Sequence, residues 1–291
     1  MLTIGIDIGG SAAKLALVDA AQGEVLASDR VATGRAMAGD ALAGRLVERV
    51  RALAGTRPLT GIGIGVPATV IGDRPIDASY CNVPALVELD LARTLAERLS
   101  VPAWMENDAK AALRGEWLLG AAQGARNAAL ITLGTGIGSA LLLDGALRDG
   151  AHGNHGEIGL TMVGPPDGLR PLEQWAAPGF ARDRFGADLP RLIAAEREGA
   201  DDARRALDII FSHLGTAVTN LHLLLDLEVV VLAGGVTGLG GALVDRVAQS
   251  FAATCPPIYR FGLAIRNAVH GELAGAVGAA MLAQSRRREG A

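Results

Sequence analysis

"LTIGIDIGGSAAKLALVD", Leu2 to Asp19, consists of two short apolar runs joined by a glycine turn. Ile4, Ile6 and Ile8 alternate with Thr3, Gly5 and Asp7, the period of a β-strand, and residues 15–18 read as a strand returning from the turn. Asp7 stands at the strand end beside Gly9, Gly10 and Ser11. A carboxylate so placed can lie near phosphate oxygens and a divalent cation, while glycine backbone, lacking Cβ, lets an anion approach its N–H groups. The same residues also make an ordinary hairpin with a satisfied aspartate. The turn is neither a Walker A loop nor a GxGxxG dinucleotide turn.

The plan restarts at "NAALITLGTGIGSALLLDGAL", residues 127–147. A shift of 125 residues carries Gly9 onto Gly134 and Asp19 onto Asp144. This weak internal repeat predicts two related α/β lobes, each bringing a glycine hairpin to a ligand cleft. Gly134, Thr135 and Gly136 offer a hydroxyl and backbone amides as a second phosphate cradle, or simply a tight turn.

Around these hairpins, "GEVLASDRV" reads as a third strand and "DALAGRLVERVRALAG" as an amphipathic helix through Leu42, Leu46, Val47, Val50 and Leu53. "LTGIGIGVP" reads as a strand ending at Pro67, Leu91, Leu95 and Leu99 mark a helix, and "VPAWMEN" is a strand leading into a helix over 108–120. Further on come a long helix over 202–226, the strand "LEVVVLAGG", a helix from about 239 and a last strand over 260–266. The chain closes on the small-residue helix "GELAGAVGAAMLAQ". We expect one lobe from 1–115, joined by the terminal helix over 271–286, and a second lobe from 116–270.

Composition narrows the function classes. Of 291 residues, 50% are hydrophobic and 20% charged, which predicts a packed globular fold. The net charge is -4, and the one basic run, Arg286 to Arg288, suits a solvated helix end rather than a nucleic-acid surface. Cys81 and Cys255 are far apart, which disfavours a disulfide framework or a cysteine zinc site. Neither a secretory leader nor an apolar run of membrane-spanning length is evident, so a cytoplasmic location without membrane partners is expected.

Three further segments carry polar chemistry. In "MENDAKAALRGEW", Asp108 can accept a proton from a substrate hydroxyl while Asn107 binds a neighbouring one. Both are also favoured helix caps. In "LEVVVLAGGVTG", Gly234 and Gly235 form a strand-to-helix turn against which a nucleotide base or ribose can lie. In "DGAHGNHGEIGLTMVG", residues 149–164, His152, His155 and Glu157 have the look of a metal site, but Gly150, Gly153 and Gly156 deny it a rigid scaffold.

Together these segments resemble the ROK family of sugar kinases and related repressors, within the actin-like ATPase superfamily. "DIGGSAAK" is similar to the first phosphate loop, "GIGIGVPATV" to the strand ending in Pro-Gly (here Pro67-Ala68), and "CNVP" to the segment bearing a sugar-contacting Asn, here Asn82. "ENDAKAALRGEW" resembles the catalytic Asn-Asp segment, "LGTGIGSALLLDGAL" the second phosphate loop, "HGEIG" the sugar-binding Gly-Glu and "LAGGV" the adenosine-side turn. The resemblance runs from Leu2 to about Leu282.

It implies two actin-like, ribonuclease H-like α/β lobes around a ligand cleft, closing on a sugar and Mg²⁺-ATP. By the same resemblance Asp108 is the general base and Asp7 organises Mg²⁺ or its waters. Gly9, Gly10, Ser11, Gly134, Thr135, Gly136, Gly234 and Gly235 serve the nucleotide. Asn82, Asn107, Asp108, Glu157, Glu173 and His155 serve the sugar. A glucokinase-like hexose or N-acetylhexosamine kinase is implied, acting as a homodimer. Lys14 receives no role.

The departure from the family lies at Leu160, where zinc-bearing members have His, and in "MVGPPDGLRPLEQW", which has no Cys. No structural zinc is therefore expected. A polyphosphate donor and a non-catalytic sugar-sensing regulator are the alternatives. The regulator is disfavoured because no helix-turn-helix is read ahead of Leu2.

Overall fold

In the computed structural model, β1 (Leu2–Ile8) turns into antiparallel β2 (Ala12–Asp19), which pairs with antiparallel β3 (Glu24–Ala32). Residues 1–34, 37–77, 83, 86, 89–134, 136–165 and 167–289 are described. The alternation in β1 sets its two faces. Ile4, Ile6 and Ile8 are fully buried with Leu42, Leu46 and Val50 of helix α1 (Gly39–Ala54). The opposite face, through Ala16 and Val18 of β2, packs on Ala276, Val277 and Ala280 of the C-terminal helix, Ala274–Glu289.

Parallel strands β4 (Leu59–Val66) and β7 (Ala103–Asn107) complete the first sheet in the order β3-β2-β1-β4-β7. Between them lie the hairpin β5 (Thr69–Ile71) and β6 (Arg74–Asp77), then helix α2 (Leu91–Leu99). Helix α3 (Asp108–Leu119) follows β7 directly. The second sheet has the order β10-β9-β8-β13-β14. Its strands are β8 (Ala128–Leu133), β9 (Ile137–Leu143), β10 (Ala146–Leu147), β13 (Val229–Ala233) and β14 (Ala264–Asn267). β8 and β9 are antiparallel, and β13 runs parallel to both β8 and β14.

The two sheets thus share one topology, three antiparallel strands followed by two parallel ones. The 125-residue shift carries β2 onto residues 137–144, where β9 ends at Leu143. The likeness lapses after the hairpins, because β10 keeps only two residues. A small hairpin, β11 (Met162–Val163) and β12 (Arg170–Pro171), follows there. Helices α4 (Glu173–Ala176), α5 (Pro178–Phe185), α6 (Leu189–Arg197) and α7 (Asp201–Leu225) come next. Helix α8 (Gly241–Thr254) separates β13 from β14, and the C-terminal helix is α9.

The chain forms two compact units. One comprises Met1–Gln123, Asp149–Asn154 and Leu273 onward, and the other Gly124–Arg148 and His155–Glu272. Within the first, α9 lies at backbone contact against both the sheet and α3: a Cβ on Gly63 of β4 would fall 1.7 Å from the Ala279 carbonyl oxygen, and one on Gly278 1.6 Å from that of Ala111 of α3.

Three stretches differ from the sequence reading. The β5–β6 hairpin was not foreseen, although Gly72 and Asp73 both take positive φ at its turn. The helices over 173–197 were missed because Pro178, Gly186 and Pro190 break the apolar period into short pieces. The last strand begins at Ala264, four residues later than expected.

Candidate active site

In the first unit, three parallel strands end side by side. Register pairs Asp7 of β1 with Gly65 of β4, and Gly65 with Glu106 of β7. Neighbouring strands lie about 4.8 Å apart, so the Asp7 backbone is about 10 Å from that of Glu106. Two residues beyond Glu106, Asp108 opens α3. Open α/β sheets bind ligands at the carboxyl ends of their strands, and Asp7, Asn107 and Asp108 occupy that end.

The junction carrying Asp108 is held from two sides. Asn107 caps α3, its Oδ1 accepting from the Lys110 N–H at 3.1 Å, and its Nδ2 reaches the Ala68 carbonyl at 3.4 Å. Asp108 Oδ1 accepts from the Ala109 N–H at 2.8 Å. Arg114, two turns into α3, donates from Nε and Nη2 to the two carboxylate oxygens of Glu106, each at 2.8 Å. Both side chains are largely buried, which makes the pair a fixed brace rather than a surface contact. Sequence reasoning missed this pair; its signal was an acid just ahead of Asn107-Asp108 with an arginine two helical turns on.

At the first glycine turn, the Gly9 N–H is engaged by the Ala12 carbonyl at 3.0 Å, and the Gly9 carbonyl accepts from Thr33 Oγ1 at 2.6 Å. Gly10 and Ser11 form the exposed tip. Asp7 is largely buried, and burial pushes its carboxyl above the usual range while Lys14 pulls the other way. Lys14 Nζ lies 3.9 Å from Asp7 Oδ2. Gly275 of α9 is pressed on Asp7 as well, since a Cβ there would meet the carboxyl carbon at 2.6 Å.

The loop 149–164 is divided between the units. Asp149 pairs with Lys110 of α3, and Asn154 Oδ1 accepts from Thr69 Oγ1 at 2.8 Å. From His155 onward the chain belongs to the second unit. There Ser139 of β9 donates its hydroxyl to the Gly156 carbonyl and accepts from the Ile158 N–H at 3.1 Å. Gly159 lies on β9 so closely that a Cβ would come 2.1 Å from the Ile137 carbonyl oxygen. The "GEIG" glycines therefore seat the loop that carries Glu157. Ser139, like Glu106 and Arg114, is a positioning residue that sequence reading missed.

Glu157 remains exposed as a residue, yet its carboxyl sits above the ordinary range, first through burial of the group and second through the nearby charge of Glu173. Glu173 in turn lies on the second hairpin, where a Cβ on Gly136 would meet its Oε2 at 2.7 Å. Gly234 abuts the same hairpin at the end of β8, 2.5 Å from the Leu133 carbonyl oxygen by the same measure, and Gly235 opens a short 3₁₀ turn to Leu239. Gly134, Gly136, Glu157, Glu173, Gly234 and Gly235 are thus gathered in the second unit. Among the described residues His155 Nδ1 is buried with no hydrogen-bond partner, whereas His152 is exposed. Asn82 and Thr135 lie outside the described residues.

Residues 3–286 match the ROK family. The chain belongs to the ROK family. A glucokinase from Halalkalibacterium halodurans is 30% identical, the alignment covering 96% of this chain and 94% of that one. An N-acetylmannosamine kinase from Vibrio cholerae is 26% identical over 85% of this chain and 88% of its own. The crystal structure of a ROK family glucokinase from Streptomyces griseus, in complex with glucose and AMPPNP, superposes with a TM-score of 0.83 at 27% identity, covering 98% of this chain and 100% of that one. The fold of this ROK chain is accordingly the actin-like α/β fold.

In this ROK protein Leu160 is 58% exposed, at the end of the 3₁₀ turn Ile158–Leu160. Among the described residues, no group of three or more His, Cys, Asp or Glu could hold a metal ion. A Mg²⁺ site asks for less: one or two carboxylates, with waters and substrate phosphates supplying the remaining oxygens. Asp7 beside an exposed glycine turn fits that donor set. No helix among the described residues is long and apolar enough to cross a membrane.

Proposed function

We propose that this ROK-family protein is a sugar kinase that transfers the γ-phosphoryl group of ATP to a hydroxyl of a hexose or an N-acetylhexosamine. The observation that carries this reading is the placement of Asp7 and the Asn107-Asp108 junction at the carboxyl ends of strands in one sheet, in a chain matching ROK over residues 3–286.

In this reading Asp108 accepts the proton of the attacking hydroxyl as the oxygen approaches phosphorus. The brace of Glu106 and Arg114 keeps that carboxylate at the start of α3. Asn107, Glu157 and Glu173 hold ring hydroxyls, joined by Asn82 and His155. Carboxylates suit that task because each accepts from two hydroxyls at once. The amides of Gly10 and Ser11, with Gly134, Thr135 and Gly136, cradle the phosphates, and Gly234 and Gly235 bound the adenosine. Asp7 would hold Mg²⁺ or its waters, and the cation when bound neutralises charge on the transferring group.

The test is a coupled ADP-release assay over a panel of hexoses, N-acetylhexosamines, fructose and polyols, with ATP and polyphosphate compared as donors. Sugar-dependent ADP release with ATP is expected. Release that no sugar stimulates removes the reading, and turnover with polyphosphate alone replaces the donor.

A further inference from the structure

Resting on the kinase reading above, we propose that Trp175 is the positioning residue for Glu173: its indole joins the β11–β12 hairpin to α5 and α7 and so fixes the turn that presents Glu173 to the sugar. Glu173 opens α4, which ends at Ala176. A single helical turn has almost no stability of its own, so its seating comes from tertiary contacts. Leu172 and Ala176 anchor it in the core of the second unit. Trp175, between them and half-buried, ties it to its neighbours.

Four elements converge on this ring. Nε1 donates to the Val163 carbonyl of β11 at 3.2 Å. The guanidinium carbon of Arg170, on β12, stands 5.3 Å from the ring centre. His213 of α7 stacks on the indole, with centroids 4.6 Å apart and planes within 2° of parallel. That imidazole is itself held, its Nδ1–H donating to the Ile209 carbonyl at 2.7 Å. Phe180 of α5 meets the indole edge-on at 6.3 Å. The hairpin backbone is close-fitted too, since a Cβ on Gly164 would come 3.4 Å from Trp175 Nε1.

A ring placed only to fill the core would lie among aliphatic side chains. Trp175 instead meets a carbonyl, a guanidinium, an imidazole and a second ring, and such contacts are directional. The N–H bond fixes the edge of the indole, while the stacked and cation–π contacts fix its plane. Glu173, two residues back on the same turn, inherits that orientation. It has little latitude, because its Oε2 fills the space beside Gly136 and its charge acts on Glu157. Among the described residues no group of three or more His, Cys, Asp or Glu could hold a metal ion. The indole therefore ties the hairpin to the helices without one.

Isothermal titration of the full chain with the sugar identified by the panel, and separately with AMPPNP and Mg²⁺, tests this on Trp175→Leu and Trp175→Phe, each alone and combined with Glu173→Gln. Trp175→Leu is expected to weaken the sugar by roughly 10- to 100-fold, the loss of hydrogen bonds to a charged group, and to leave AMPPNP affinity unchanged. Trp175→Phe keeps a ring but loses the Nε1 bond, so it should fall between; it decides the matter if Trp175→Leu does not fold. With Glu173 already replaced by Gln, either substitution should weaken the sugar little further, because residues that act through one another are not additive. Fully additive losses would overturn the inference, as would wild-type sugar affinity in Trp175→Leu or an equal loss for AMPPNP, which marks a structural defect. If the unaltered protein binds no sugar, the kinase reading fails first and this inference with it; if it binds sugar and the losses are additive, only the role of Trp175 falls.

Discussion

Gly275, the second residue of α9, sits against the carboxyl group of Asp7 with no room for a side-chain atom: a Cβ would stand 2.6 Å from the carboxyl carbon. The last helix of the chain thereby fixes the acid on its first strand. Asp7 cannot swing toward the helix without displacing its backbone.

Gly275→Ala should therefore act on the nucleotide side. Forcing Asp7 aside is an overpacking change of the kind that costs about 1–3 kcal/mol. We expect a lower melting temperature, a raised KM for Mg²⁺-ATP and a nearly unchanged KM for the sugar. Steady-state kinetics with each substrate varied in turn will show whether the damage is confined in this way; a sugar KM that rises with that for ATP would contradict it.

Ser139 ties the Glu157 loop to β9 by accepting from the Ile158 N–H and donating to the Gly156 carbonyl. Ser139→Ala leaves two backbone groups without that partner, at a cost of about 1–3 kcal/mol. Because Ser139 itself is not assigned to the sugar, the kinetic signature should be a raised sugar KM with the ATP KM retained. Unaltered sugar affinity would mean that the hydroxyl does not position Glu157.

Glu157 is a pH-sensitive member of the sugar loop. The Glu157 carboxyl in the folded protein titrates above its ordinary 4.5, first through burial and then through Glu173. With a folded pKa above the unfolded one, the group's contribution is fully present below 4.5 and is lost as pH rises through the folded pKa. Glu157→Gln should thus gain stability relative to the parent as pH rises, and show no gain at acid pH, in melts across that range. Glu173→Gln removes the smaller cause, so the acid limb of kcat/KM for the sugar should move partway to lower pH. A limb that stays put would sever the link between the two carboxylates.

The brace beside Asp108 should be costly to halve. Removing one member of a buried, doubly bonded ion pair strands the other charge, typically at about 3–5 kcal/mol. Arg114→Met alone should lower stability by an amount in that range, while Glu106→Gln combined with Arg114→Met should recover part of it. Chemical denaturation of the single and double variants gives the comparison directly; additive losses would show that the pair is not coupled.

The hairpins were legible in the sequence because alternating isoleucines and a glycine turn are local signals, and the 125-residue shift exposed their repetition. Asp7, Asp108 and Glu157 stood out for the same reason, each beside a short motif. Ser139, Glu106 and Arg114 did not, since what makes them matter is a contact with another element. Gly275 was likewise read only as part of a small-residue helix, although its proximity to Asp7 is what the small residue permits. Asn107 illustrates a different limit: cap and ligand were both legible, and the fold uses its Oδ1 for the cap.

If Asp108 is the general base, Asp108→Asn isolates that role. The substitution keeps the shape of the side chain and removes its capacity to take a proton. With the sugar identified by the panel, we expect kcat to fall about 10²- to 10⁴-fold, with sugar and AMPPNP binding measured by titration close to those of the unaltered protein. Undiminished turnover in Asp108→Asn would contradict the account.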